Sequence, residues 1–177
     1  MAKKWTSSLN LPKSAFPHRA PIPSPYLRRC TDDLYAWQQT TRPADGPQFT
    51  LHDGPPYANG DLHIGHALNK ILKDIINRFQ VSQGKRVSFI PGWDCHGLPI
   101  EIKAVQNLKL SPGDGEKNAL KIRAAARKLA EDTIEKQKRG FREWGVMGDW
   151  DNAYRTMDAS FVGRQLGVFR GMVERGG

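Results

Sequence analysis

Between residues 64 and 79 the apolar positions fall at helical spacing. Ile64, Leu68, Ile71, Leu72, Ile75, Ile76 and Phe79 form one stripe, with Lys70, Lys73, Asp74, Asn77 and Arg78 on the polar side. This spacing predicts a helix opening near His63, and Gly84 is a sensible stop. Upstream, Gln48-Phe49-Thr50-Leu51-His52 is a compact β-prone run, read as a buried strand that Asp53-Gly54-Pro55-Pro56 forces into a turn. Downstream, Arg86-Val87-Ser88-Phe89-Ile90 reads as a second strand closed by Pro91-Gly92. Strand, helix and strand within about 40 residues make a βαβ unit, which implies parallel pairing and a right-handed crossover.

The flanking pattern is more irregular. Pro12, Pro17, Pro21, Pro23 and Pro25 disfavour helix and central strand, so residues 10–26 are expected to form an extended arm. A short helix is expected from residues 31–33 to about residue 39, with Thr31 as cap candidate and a loop over 40–47. Beyond the second strand the pattern predicts a helix over 98–107 and a linker over 109–116. A long helix should then run from 116 to 144, open to a break at Gly140. A loop through Gly148-Asp149-Trp150-Asp151 leads to a last helix from about residue 158, with Phe161, Leu166, Phe169 and Val173 as its apolar side. No internal repeat is visible.

Composition narrows the class. The 177 residues are 38% apolar and 25% charged, which fits a soluble globular domain with a real core. No apolar run approaches the roughly 18 residues of a membrane span. Lys and Arg outnumber Asp and Glu by 27 to 18, for a net charge of +9, which suits a polyanionic partner without requiring one. Lys121, Arg127, Lys128, Lys136, Lys138 and Arg139 give the long helix a basic face, for which plain solvation is the favoured reading over RNA contact. Cys30 and Cys95 lie far apart and outside any Cys-x-x-Cys pair, which speaks against a disulfide framework or a structural zinc site.

Candidate chemistry gathers at the turn into the first long helix. Asp61 is a possible cap there, and His63 and His66 stand three apart on one helical face. A helix start carries unpaired N–H groups and the positive end of the dipole, which favours phosphate. Two imidazoles could add hydrogen bonds that strengthen as charge develops. Gly65 has no side chain, so a base or ribose could lie against its backbone. Spacing alone favours blander readings for the two histidines: a metal pair, a cap, or partly buried surface. A metal would need a third ligand, such as Cys95 or His96. Asp94 taken alone reads as a loop-capping carboxylate. Neither a P-loop nor a dinucleotide fingerprint is present.

Three linked blocks change this reading. His63-Ile64-Gly65-His66 resembles the His-Ile-Gly-His signature of class I aminoacyl-tRNA synthetases. His52-Asp53-Gly54-Pro55-Pro56-Tyr57-Ala58-Asn59-Gly60 resembles the isoleucine branch of that family. So does Pro91-Gly92-Trp93-Asp94-Cys95-His96-Gly97-Leu98-Pro99-Ile100-Glu101. Leucyl enzymes usually carry Ala-Phe in place of Cys95-His96, valyl enzymes carry Pro-Asn-Val-Thr-Gly before a His-Met-Gly-His, and methionyl enzymes differ after the second strand. Weaker likeness continues through Trp144-Gly145-Val146 and Gly148-Asp149-Trp150 to the end of the chain. The Pro-Tyr-Ala-Asn-Gly form is more similar to bacterial and organellar enzymes, implying the mitochondrial matrix in a eukaryote and otherwise a bacterial cytoplasm.

The resemblance implies an α/β fold, the first half of a class I synthetase Rossmann-like nucleotide-binding domain with an extended N-terminal arm and a helical extension. Residues 1–47 would be the arm and short helix, and 48–177 the nucleotide-binding part. The implied reaction is ATP-dependent activation of isoleucine to the adenylate, then transfer to tRNA(Ile). ATP would come with Mg2+, no metal would be bound by this segment itself, and no membrane would be involved. Carried over by position, His63 and His66 would hold phosphate oxygens and Gly65 would seat the adenine. Asp94 would bind the isoleucine ammonium, with Gly54 and Pro55 forming backbone and wall of the amino-acid pocket. Tyr57, Asn59 and His96 would support these contacts. The family also needs a Lys-Met-Ser-Lys-Ser loop, and no segment here matches it. The second half of the nucleotide fold, the editing domain, the zinc elements and the anticodon-binding helices are missing too. The expectation is therefore a truncated chain that is inactive alone, binds ATP weakly at best, and exposes sheet edge and core surface. Two alternatives remain: a stand-alone, non-catalytic nucleotide- or tRNA-binding remnant of such an enzyme, and a metal-binding or hydrolytic protein using His63, His66 and His96.

Overall fold

In the computed structural model, residues 24–109 and 118–176 are described. The proline arm through residue 23 and the linker residues 110–117 lie outside them. Strand β1 (Gln48–Thr50) and strand β2 (Arg86–Ser88) pair in parallel, with Phe49 opposite Val87. Helix α3 (Ile64–Ser82) joins them, so the expected βαβ unit is present. Gly84, at φ +84°, makes the turn after α3. The expected buried strand at residues 48–52 is instead a three-residue strand on a sheet edge, where Gln48 and Thr50 are exposed. Its second edge has no strand beside it among the described residues.

The other edge of β2 is closed by side chains. Before β1 lie the single turn α1 (Leu27–Cys30), which sequence spacing did not indicate, and α2 (Asp32–Thr41). Gln38 on α2 accepts from the Val87 N–H at 2.7 Å and donates to the Val87 carbonyl at 2.9 Å. The Tyr35 hydroxyl accepts from the N–H of Phe89 at 3.2 Å. A glutamine amide thus does the work of a neighbouring strand, and no buried backbone group of Val87 goes unpaired. Thr31 stands at the start of α2 but its hydroxyl donates back to Leu27 at 2.8 Å, so the expected side-chain cap does not form.

After β2 the chain continues into β3 (Gly92–Trp93), which pairs in parallel with β4 (Tyr154–Arg155). This second pairing replaces the plain loop expected before the last helix. Helix α4 (Leu98–Leu108) packs on α5 (Ala119–Glu143), and α6 (Ala159–Glu174) follows from Asp158. Helix α5 runs unbroken through Gly140. That glycine is a contact rather than a break: a Cβ there would meet Leu62 Cδ1 at 2.4 Å. Phe89, Trp93, Phe141, Val146 and Trp150 form the main core between the strands and α5.

Helix α3 is inside out relative to simple amphipathic reading. Its polar residues Lys70, Asp74 and Asn77 are buried against the body of the chain. Its apolar stripe faces out, with Ile64 84%, Leu68 62% and Phe79 58% exposed. The buried side is held by specific polar pairs: Asp74 accepts from the Met147 N–H at 2.8 Å, and Arg78 donates to the Gly145 carbonyl at 2.9 Å. The outward stripe is a large apolar patch of the kind that marks an interface. Among the described residues, no helix is long and apolar enough to cross a membrane.

Candidate active site

The first turn of α3 is closed by its own histidines. His63 is the N-cap residue, in extended conformation, and its Nδ1 accepts from the Gly65 N–H at 3.1 Å. His66 reaches back, its Nδ1 accepting from the His63 N–H at 3.3 Å. This is a reciprocal capping box built from two imidazoles, so the cap is His63 rather than the expected Asp61. Because both Nδ1 atoms accept, a neutral ring must carry its proton on Nε2. The rings lie 4.0 Å apart between centroids and present two Nε2–H donors at the positive end of a 19-residue helix. Burial, then the proximity of His63 and Lys70, pushes the His66 pKa below the usual histidine value. His66 is therefore neutral at pH 7, the form the cap requires.

Gly65 has a local reason for its identity. A Cβ there would stand 2.9 Å from His63 Cε1 and 3.0 Å from Nδ1, inside the ring that makes the cap. The structure thus ties Gly65 to the capping geometry.

Asp94 lies directly beside the Pro55-Pro56-Tyr57-Ala58 turn. Its N–H donates to the Pro56 carbonyl and its carbonyl accepts from the Ala58 N–H, both at 2.9 Å, in a parallel bridge with Tyr57. Hence the turn, with Gly54 and Pro55 at its start, and the loop after β3 are stitched into one surface. On the other side of β3, Thr156 organises the carboxylate. Its hydroxyl donates to Asp94 Oδ1 at 3.3 Å and accepts from the Cys95 N–H at 2.9 Å. The His96 N–H also donates to Oδ1, at 3.1 Å, so both of these bonds fall on the same carboxylate oxygen. His96 Nε2 lies 3.0 Å from the Thr156 carbonyl and must donate to it. Cys95 is buried, and burial raises its pKa, so it remains a thiol at neutral pH.

Spacing could not reveal two further supports. Gln137, fully buried on α5, accepts from the Trp93 indole at 2.9 Å and donates to the carbonyls of Gly60 at 2.8 Å and Tyr57 at 3.2 Å. Lys103 on α4 donates to the Asn59 carbonyl at 3.0 Å. Tyr57 itself is 51% exposed, so its role in the fold is carried by its backbone. Tyr154 packs over Gly92, where a Cβ would collide with its ring at 2.1 Å, and donates to the Asp53 carbonyl at 3.0 Å.

The metal alternative finds little purchase in the geometry. Among the described residues, no group of three His, Cys, Asp or Glu side chains could hold a metal ion. His63 and His66 spend their Nδ1 atoms on the cap, and His96 is bonded elsewhere.

A capped helix start carrying His-Ile-Gly-His, joined through the Asp94 bridge to a Pro-Tyr-Ala-Asn-Gly turn, matches the family described as tRNA synthetases class I (I, L, M and V) over residues 27–177. The chain belongs to the class I tRNA synthetases. It is 47% identical to the isoleucine–tRNA ligase of Cyanothece sp. over 97% of this chain, which is 18% of that protein. Similarity to mitochondrial isoleucine–tRNA ligases is as high: 52% over 81% of this chain and 14% of the protein for Gallus gallus, and 45% over 98% and 17% for Mus musculus. Among solved structures, the agnB2 LeuRS of Agrobacterium radiobacter K84, in a ternary complex with tRNA and LeuAMS, aligns with a TM-score of 0.63 at 25% identity. That alignment covers 86% of this chain and 18% of the LeuRS chain. The fold is thus that of the N-terminal, Rossmann-like region of a class I synthetase, and the chain spans under a fifth of the length of these relatives.

Proposed function

We propose that this chain supplies the ATP-phosphate cap and one wall of the amino-acid pocket of an isoleucine–tRNA ligase. In this reading residues 48–177 are the first half of the nucleotide-binding domain, preceded by the arm and short helices of 1–47. The supporting observation is the double-imidazole cap. It fixes both histidines as Nε2–H donors before any ligand arrives, so no reorganisation is needed when charge builds on the α-phosphate. His63 and His66 donate to phosphate oxygens as the isoleucine carboxylate attacks and pyrophosphate leaves. Gly65 keeps the helix start flat for the adenosine. Asp94, oriented by Thr156, holds the isoleucine ammonium through its second oxygen, and Gly54 and Pro55 line the side chain's path. Tyr57, Asn59 and His96 brace this wall.

The imidazoles at the helix start do not fit a protein-held Mg2+. A hard cation takes oxygen ligands, and the helix start offers imidazoles. The ion would instead travel on the triphosphate of ATP. The aminoacyl group would pass to tRNA(Ile), in mitochondria or a bacterial cytoplasm, in keeping with the cyanobacterial and mitochondrial relatives.

The test is isoleucine-dependent ATP–pyrophosphate exchange. This chain alone should show none, and a ligase carrying it at the length of its relatives should show exchange that falls on His66→Ala by about 100-fold or more. Exchange that is indifferent to His66→Ala would refute the assignment. A longer protein that binds ATP but shows no exchange at all would favour a non-catalytic remnant.

A further inference from the structure

Beneath the site lies a buried charge cluster that the proposed chemistry does not use. Asp53 is fully buried. Its carboxylate pairs with the Lys70 ammonium, with Lys73 at 2.9 Å, and with the Gly92 N–H at 3.1 Å. Lys70 is itself 1% exposed and sits over the rings of Phe141 and Phe89, at 5.0 and 5.8 Å. Burial lowers its pKa, and Asp53 opposes that shift.

Such clusters are poor devices for stability alone. Desolvating the ions costs about as much as the pairing returns, and well-packed apolar substitutes are often equally stable. What this cluster does have is location. Asp53 directly precedes Gly54 of the amino-acid wall, and Lys70 lies one helical turn beyond His66. Gly92 is two residues before Asp94. One carboxylate therefore ties together the turn leaving β1, the helix carrying the imidazoles, and the strand that leads into Asp94, the proposed ammonium partner.

Resting on the functional reading above, we infer that Asp53, with Lys70 and Lys73, is a positioning group that sets the distance between the phosphate donors and Asp94. Each half-site is complete without it. Their mutual register is not, and in-line attack on the α-phosphate depends on that register.

The experiment uses the ligase at the length of its relatives, with active sites counted by burst titration so that unfolded protein drops out. Asp53→Asn should lower the exchange kcat per titrated site about 100-fold, the loss expected of a misplacement near 1 Å. KM for ATP and for isoleucine should each move by less than about threefold, because Asp53 is not itself among the groups proposed to contact either substrate. The double variant Asp53→Leu/Lys70→Met removes the charges together and keeps apolar packing. It should melt close to the parent and still show the kcat loss. Unchanged kcat per site in Asp53→Asn would overturn the inference, as would recovery of kcat in the double variant. Controls separate the two levels. If His66→Ala and Asp94→Ala are damaging while both cluster variants are not, only the positioning role fails. If His66→Ala is also silent, the functional reading itself has failed.

Discussion

Replacing Gln137 by leucine probes how the site is held from behind. The side chain is fully buried and makes hydrogen bonds to the Trp93 indole, the Gly60 carbonyl and the Tyr57 carbonyl. Leucine fills nearly the same volume and makes none of them. The indole N–H is then stranded in the core, at a cost of about 1–3 kcal/mol. The two carbonyls belong to partly exposed loop residues and regain water, so each costs nearer 0.5–1 kcal/mol. Extra apolar burial returns about 1 kcal/mol. The net loss should be about 1–4 kcal/mol, a large share of the stability of a domain this size. Urea unfolding followed by tryptophan fluorescence would read it directly, since Trp93 and Trp150 are buried. Gln137→Glu still accepts from the indole but cannot donate to the carbonyls, and should be no more stable than the leucine variant. A loss below about 1 kcal/mol in Gln137→Leu would refute the claim that this side chain carries the turn.

The remaining expectations concern the cap and the pocket. Gly65→Ala should evict the His63 ring from its cap at a cost of only about 1 kcal/mol, while losing much more ATP-dependent rate in the ligase; equal retention of stability and rate would show that the ring does not need the space. Asp94→Ala should raise KM for isoleucine more than for ATP, and Thr156→Val should do the same more weakly; equal losses for both substrates would mean the carboxylate is misassigned. The folded pKa of His66 lies below its unfolded value, so its contribution to stability is present above pH 6.5 and is lost as pH falls through the folded pKa. An NMR titration of the His66 ring should therefore have a midpoint under 6.5, and a midpoint at or above it would contradict the neutral cap.

Local signals in the sequence were reliable where a local cause decided the structure. The period of α3, the stop at Gly84 and the strand–helix–strand order follow from patterning and turn chemistry. A candidate site could also be proposed from the sequence, because its histidines, turn and Asp94 lie in contiguous blocks. What patterning could not show is which way α3 faces. An apolar stripe ordinarily points to the core, but here Lys70, Asp74 and Asn77 face it, each of the first two bound to a partner far along the chain. Pairing of β3 with β4 joins residues about 60 apart through a two-residue ladder, too short to leave a periodic signal. Thr156 and Gln137 act through tertiary contacts, and neither neighbourhood carries a recognisable motif. Gly140 left a helix break open because propensity is local, whereas its small size serves a contact with Leu62.

The central claim concerns two ring nitrogens, and a crystal structure of the relative-length ligase bound to ATP would examine them directly. The account predicts that Nε2 of His63 and Nε2 of His66 each lie about 3 Å from phosphate oxygens while both Nδ1 atoms stay bonded to the backbone. Rings turned away from the triphosphate, or phosphates bound through Nδ1 with the cap broken, would contradict it.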